Sequence, residues 1–239
     1  LYKQQFQPQN CTLIVAGNID DDLINQLKGL FVDDWNAADN ASLTKDFVQV
    51  PFLPEFLLEE KPDALQSAIR LGVPTINRIH PDFPAFQFVN CLFGGYFGSR
   101  LMRNIREEKG YTYSIGSAIA SLKYTGFFTI ASEVGADVTQ ATLSEIEKEF
   151  ALLRNELATV EEVELVKNYM QGTMLGSLES IFSHADKFKS VYFYGMDLAY
   201  YQRYSEEIKS MTPEKVQTIA QRYLDYDKLI KIVVGKLAD

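Results

Sequence analysis

Histidine, cysteine and tryptophan are scarce in this chain of 239 residues, which holds two, two and one of them. Metal sites need several donors converging at bonding distance. His80 and His184 have no second histidine at helical spacing, and with two cysteines they do not form a zinc-finger pattern. The chain is therefore expected to bind no metal of its own. Cys11 and Cys91 read as small buried hydrophobes, and their separation alone does not decide a disulfide. Basic residues are also in short supply, with 23 Lys and Arg against 32 Asp and Glu and a net charge of −9. Neutralising nucleic-acid phosphates requires a basic face, so no nucleic-acid partner is expected. No apolar run approaches the roughly 20 residues of a membrane-crossing helix, so no membrane span is expected. The chain opens at Leu1 with no signal peptide in view, and is expected to be an excerpt or a processed piece.

What is present is the balance of a globular protein, with 46% hydrophobic and 23% charged residues. "NCTLIVAGNID" opens with a compact apolar run, Thr12 to Ala16, halted by Gly17, which predicts a buried strand. From Asp20 to Trp35, residues Leu23, Ile24, Leu27, Leu30 and Phe31 share one helical face. Residues 36–64 carry three prolines and little periodicity, predicting an extended connection with one short strand. Leu65, Ser67, Ile69 and Leu71 alternate with Gln66, Ala68 and Arg70 as a strand does. A buried helix follows over "PDFPAFQFVNCLFGG", then a second from the Gly98-Ser99 cap to Lys109, where Gly110 ends it. "YTYSIGSAIAS" and "TGFFTIASEVG" predict a hairpin turning near Lys123. Helices then come from the Leu143–Leu157 periodicity, the Thr159-x-x-Glu162 capping box, Ile181 to Tyr194 and Thr212-Pro213. "LIKIVVGK" closes as a strand and echoes "LIVAGN", so the two are expected in one sheet. This order predicts an α+β fold: one mixed, largely antiparallel sheet with helices on one face. No linker stands out, so residues 1–239 read as one domain.

The densest stretch is "GGYFGSRLMRNIREEKGYTYSIGS", residues 94–117. Its glycines lie between helices and lack the Lys-Ser/Thr pair of a phosphate loop, so they predict a tight turn where Cβ atoms would clash. Arg100, Arg103, Arg106 and Lys109 recur every three residues, which on physics alone predicts one solvated helical stripe. Neither a Ser-His-Asp nor a Cys-His arrangement can be assembled.

Starting one residue earlier, at Phe93, the same stretch resembles the pitrilysin-type zinc metallopeptidases, the family of insulin-degrading enzyme and mitochondrial processing peptidase. The likeness lies in a Gly-rich turn, Ser-Arg-Leu, Arg-Glu, a glycine and a Tyr on the next strand. "QPQNCTLIVAGNID", "HPDFPAFQFVNCLFGG", "TVEEVELVKNYMQGTM" and "IKIVVGK" extend it over nearly the whole chain. The resemblance implies a half-domain of the processing-peptidase type. In that family one half carries His-x-x-Glu-His, whose histidines bind zinc and whose Glu activates water. The other half supplies an Arg and a Tyr to the substrate. The matching positions are Arg106 and Tyr113. Peptide hydrolysis builds negative charge on the scissile carbonyl oxygen, which a guanidinium and a phenol can meet with hydrogen bonds. His-x-x-Glu-His is absent from this sequence. The chain alone is thus expected to be inactive, with zinc and its ligands in a partner half-domain, upstream or on another subunit, and a peptide as substrate. The alternative is a non-catalytic structural or binding subunit of the same fold.

Overall fold

The computed structural model describes residues 6–33, 35 and 51–237. They divide into two compact units, a larger one within Pro51–Met174 and Ala199–Asp239 and a smaller one within Leu1–Val50 and Leu175–Leu198.

The larger unit is built on a five-stranded sheet. Its strands are β1 (Phe56–Glu60), β2 (Gln66–Thr75), β3 (Thr112–Ser121), β4 (Gly126–Gly135) and β5 (Ile230–Gly235), in the order β1-β5-β2-β4-β3. β1 and β5 run parallel; the other neighbours are antiparallel. Alternation decides what each face does. Ser67, Ile69 and Leu71 on β2, Phe128, Ile130 and Val134 on β4, and Val233 on β5 are buried. Gln66, Arg70, Phe127 and Glu133, between them in sequence, are exposed. The expected alternation began at Leu65, but β2 starts after that residue and leaves it 88% exposed. Helices therefore cover one face, and the α+β architecture stands as expected.

Four helices belong wholly to this unit besides the π-wound segments: α2 (Phe83–Asn90), α3 (Thr139–Asn155), α6 (Ala199–Lys209) and α7 (Pro213–Tyr223). α4 (Val160–Gly176) begins in it. Phe86, Phe93, Phe128 and Phe150 are fully buried and touch as tilted or edge-on rings, with Phe93 and Phe150 centroids 4.8 Å apart. Such pairs add to what burial alone contributes. Tyr223 of α7 stacks on Phe86 at 4.9 Å and donates to Asp82, tying α7 to the start of α2. Thr212 and Thr159 accept the capping bonds expected of them, from Lys215 and Glu162 amides.

The smaller unit holds α1 (Asp21–Lys28), which continues as a π-turn over Gly29–Asp33, and α5 (Ile181–Tyr192). Asp20 caps α1 by accepting from the Leu23 amide at 2.8 Å. Thr12 to Ala16, expected as a buried strand in the sheet of β5, lies in no ladder. Cys11 is exposed and Cys91 buried, and both thiols are free. Reading both as buried was wrong for Cys11, because the run it precedes has no sheet around it. Of the connection expected over 36–64, residues 36–50 lie outside the described residues; its short strand is β1.

α2 runs on into a π-turn, Cys91–Gly95, that lies against β3. A Cβ on Gly94 would sit 2.5 Å from Ser117 Oγ and 2.8 Å from the Ser117 backbone nitrogen. Ser117 in turn donates to Asn90 Oδ1 at 2.8 Å. The backbone nitrogen cannot step aside as a side chain could, so Gly94→Ala should lower stability by about 1–3 kcal/mol. Gly172, inside α4, has open space around it. Gly172→Ala should gain about 0.5–1 kcal/mol from helix propensity. Urea unfolding of the two variants checks both signs.

Candidate functional site

Arg106 and Tyr113 stand on either side of one corner. Arg106 belongs to a helix wound with i→i+5 spacing, Met102–Glu108. Gly110 at φ +68° turns the chain out of it and into β3. The wider winding changes the helical phase, so the four cations at spacing three do not form one solvated stripe. Arg100 turns inward to a two-bond ion pair with Glu162, Nε to Oε1 at 2.8 Å and Nη2 to Oε2 at 2.7 Å. Lys109 pairs with Glu145 at 3.6 Å, and Arg106 lies over the Phe97 ring at 4.5 Å. Ser99, expected to cap this helix with its hydroxyl, keeps that hydroxyl buried without a partner. Its backbone carbonyl accepts from Arg103 instead.

The phenol is placed by a β-bulge. Thr112 pairs with Val134 and Ile115 with Ser132, so Tyr113 and Ser114 together face the single residue Glu133. Hydroxyls stitch the irregularity. Thr112 donates to the Glu133 carbonyl at 2.6 Å and accepts from the Ser114 amide at 3.2 Å. Ser132 donates to the Ser114 carbonyl at 2.9 Å. Strand alternation would put Tyr113 on the face of Ile115. The extra residue breaks that parity, leaving Ile115 buried and Tyr113 91% exposed.

Arg106 and Tyr113 line one open concavity of about 740 Å³. Tyr111, Glu107, Glu133 and Asp137 are on its wall, and among the described residues Arg106 is its one cationic lining residue. Glu133 is held by Arg70 at 2.6 Å. The site thus offers one guanidinium and one exposed phenol as donors, set among carboxylates.

The corner is anchored from behind by groups that sequence reasoning did not single out. Asn104 is buried, and its amide nitrogen donates to Glu145 at 2.9 Å and to Glu149 at 2.8 Å, both on α3. The two carboxyls respond in opposite directions. The Asn104 hydrogen bond, helped by Lys148 and Lys109, holds Glu145 below the ordinary range. Burial pushes Glu149 above it, against the Asn104 bond and Arg100. Neither residue shows a helical-spacing signal beyond ordinary amphipathicity. Cys91 is inert, its thiol pushed up to about 12 by burial. His80 caps a turn, its Nδ1 accepting from the Asp82 amide, and His184 is exposed. Among the described residues no cluster of His, Cys, Asp or Glu could hold a metal, and no helix is long and apolar enough to cross a membrane.

Because Glu149 is raised in the fold, its contribution is full below the ordinary value of 4.5 and is lost as pH climbs through its native value. Glu149→Gln removes that loss and can donate to the side-chain Oδ1 of Asn104, which is buried without a partner. The stability of the variant relative to the parent should therefore rise with pH between mildly acidic and neutral. Urea midpoints across that range check the sign.

Residues 1–170 match the family model described as the peptidase M16 inactive domain. A Bacillus subtilis protein named "Uncharacterized zinc protease YmxG" is 29% identical over 175 residues, covering 73% of this chain and 42% of that protein. B. subtilis "Probable inactive metalloprotease YmfF" is 24% identical, over 76% of this chain and 42% of its own length. The chain thus spans about half or less of the curated relatives it matches. In fold it is similar to the peptidase M16 inactive domain from Pseudomonas fluorescens, with TM-score 0.79 and 23% identity over 93% of this chain and 53% of that one. A protease from Helicobacter pylori gives TM-score 0.85 at 17% identity, over 97% and 56%. The family match, the named relatives and the shared fold agree: the chain belongs to the peptidase M16 family, the pitrilysin-type zinc proteases, as its inactive, non-zinc C-terminal domain.

Proposed function

We propose that this chain is the substrate-positioning half of a zinc-dependent endopeptidase, completing a peptide chamber with a half-domain that carries His-x-x-Glu-His. The observation that carries the reading is the shared concavity of Arg106 and Tyr113, with the phenol free and the guanidinium resting on Phe97. The partner half's zinc site would supply the activated water. Arg106 would hydrogen-bond the scissile carbonyl oxygen or the neighbouring peptide backbone as negative charge develops there, and Tyr113 would donate from the other side. Phe97 limits the directions the guanidinium can take, so less freedom is lost when substrate arrives. A peptide is the fitting substrate because both donors suit main-chain carbonyls, while the wall carboxylates suit amide N–H groups.

A second reading, a non-catalytic subunit of the same fold, draws on the relative YmfF, named a probable inactive metalloprotease, and on the likeness to a chain of Complex III2 from Candida albicans, TM-score 0.70 at 15% identity. The two readings part on one measurement. With the zinc-bearing half present, Arg106→Ala should lower kcat by about 100-fold or more. Tyr113→Phe should lower it by about tenfold, one hydrogen bond's worth. Neither should change the unfolding midpoint appreciably. Unchanged turnover of a standard fluorogenic peptide would remove the assisting role.

A further inference from the structure

Asn104 is the buried polar residue of the helix that carries Arg106, with Met102 and Ile105 buried beside it. Its main-chain carbonyl accepts from the Lys109 amide at 3.0 Å, an i→i+5 bond of the π winding. Its side chain reaches α3, where one NH2 group serves both Glu145 and Glu149. Winding and side-chain anchor therefore meet two positions before Arg106. Apolar contacts alone would let such a helix turn slightly at little cost, whereas a hydrogen bond to a fixed partner is directional.

Glu149 is only 7% exposed, and among the described residues nothing donates to the buried Oδ1 of Asn104. One proton answers both. On Glu149 it makes a neutral carboxylic acid, which accepts from Asn104 Nδ2 with one oxygen and donates to Oδ1 with the other. The surroundings favour that placement. Burial pushes Glu149 up, while Glu145, on the same NH2, is held down by its Asn104 bond. The charges acting on Glu149 are Arg100, ahead of the helix, and Lys148 and Glu145 on α3 itself. Arg100 is already joined to Glu162 of α4 by two bonds, and Lys148 and Lys109 pair with Glu145.

We propose that Asn104 and Glu149 are positioning residues of this site, and that a proton on Glu149 closes a two-bond clasp with the Asn104 amide that holds Arg106 in place over Phe97. Rising pH opens the clasp. Arg106 is then placed best in mildly acidic solution and less well as Glu149 ionises. The effect on peptide turnover rests on the role given to Arg106 above; the clasp itself does not.

The test is side-chain NMR of the isotope-labelled chain, alone and with its unlabelled His-x-x-Glu-His half, from mildly acidic to neutral pH. The Glu149 carboxyl carbon should titrate above the ordinary value of 4.5, and the Asn104 amide and Arg106 Nε–H resonances should follow the same curve. In Glu149→Gln, which keeps one acceptor and gains a permanent donor, both resonances should be flat with pH. With the zinc-bearing half present, the kcat of Glu149→Gln relative to the parent should rise by about three- to tenfold over that range, with KM within about twofold, because a small displacement of a donor acts on kcat. Asn104→Leu combined with Glu149→Leu replaces both partners by apolar groups, so the unfolding midpoint should stay near the parent's while kcat falls about tenfold. A stable double variant with full kcat makes the pair merely structural and overturns the proposal. So does a Glu149 that titrates at its ordinary value. An Arg106 resonance that ignores the titration also overturns it, and leaves the peptidase reading standing if Arg106→Ala still abolishes turnover. A resonance that follows the titration in a pair that cuts no peptide upholds the positioning and overturns the peptidase reading.

Discussion

There is no room for a side chain between residue 94 and strand β3, and the rest of the site follows from that. Gly94 lets the π-turn after α2 approach the Ser117 backbone more closely than any Cβ would permit. Asn90 and Ser117 close the contact with a buried hydrogen bond. That seat sets where the following helix starts, and so where Arg106 stands relative to β3. Behind it, the ring cluster of Phe86, Phe93, Phe128 and Phe150 supplies an incompressible floor. The corner is accordingly carried by a packed core and not by a loop, which is what a site requiring fixed donors needs.

Polar groups then hold the corner from the side. Arg100 with Glu162 ties the helix start to α4, and Asn104 with Glu145 and Glu149 ties its middle to α3. These are part-buried or buried contacts, where a missing partner is costly. Their net worth to stability is small next to the apolar core. Their effect is directional: each has one geometry, and together they leave the helix one position. The price appears as a carboxyl held in an unfavourable setting at Glu149 and two buried polar atoms, Ser99 Oγ and Asn104 Oδ1, without partners.

Much of this was legible beforehand. The β2 alternation, the β3–β4 hairpin, the Thr212-Pro213 start and the Thr159 cap are local signals, and local physics decided them. Arg106 and Tyr113 came from resemblance, not from any periodicity. Four things were not legible. A π-wound helix has no propensity signature of its own, so spacing three suggested a stripe that the winding takes apart. A bulge depends on the partner strand, so alternation put Tyr113 on the same face as Ile115. The run 12–16 reads as a strand because its side chains suit one, but a strand needs a neighbour, and nothing in its own residues names that neighbour. Helix α6, "AYYQRYSEEIK", was not expected although Tyr200, Tyr204 and Ile208 recur every four residues on its inward face; tyrosine's polar hydroxyl hides it from a count of aliphatic positions.

The bulge at Tyr113 turns the corner into a counting device. Side chains on β3 change sides with every residue, so parity along the chain decides which of them meet the core. One surplus residue opposite Glu133 is what allows an outward phenol and an inward Ile115 two positions later. A lineage could exchange exposed Glu108 for another residue at small cost. It could not drop one residue between Gly110 and Ile115 without losing that surplus, and with it either the outward phenol or the inward Ile115. Length in this segment is thus more tightly held than composition.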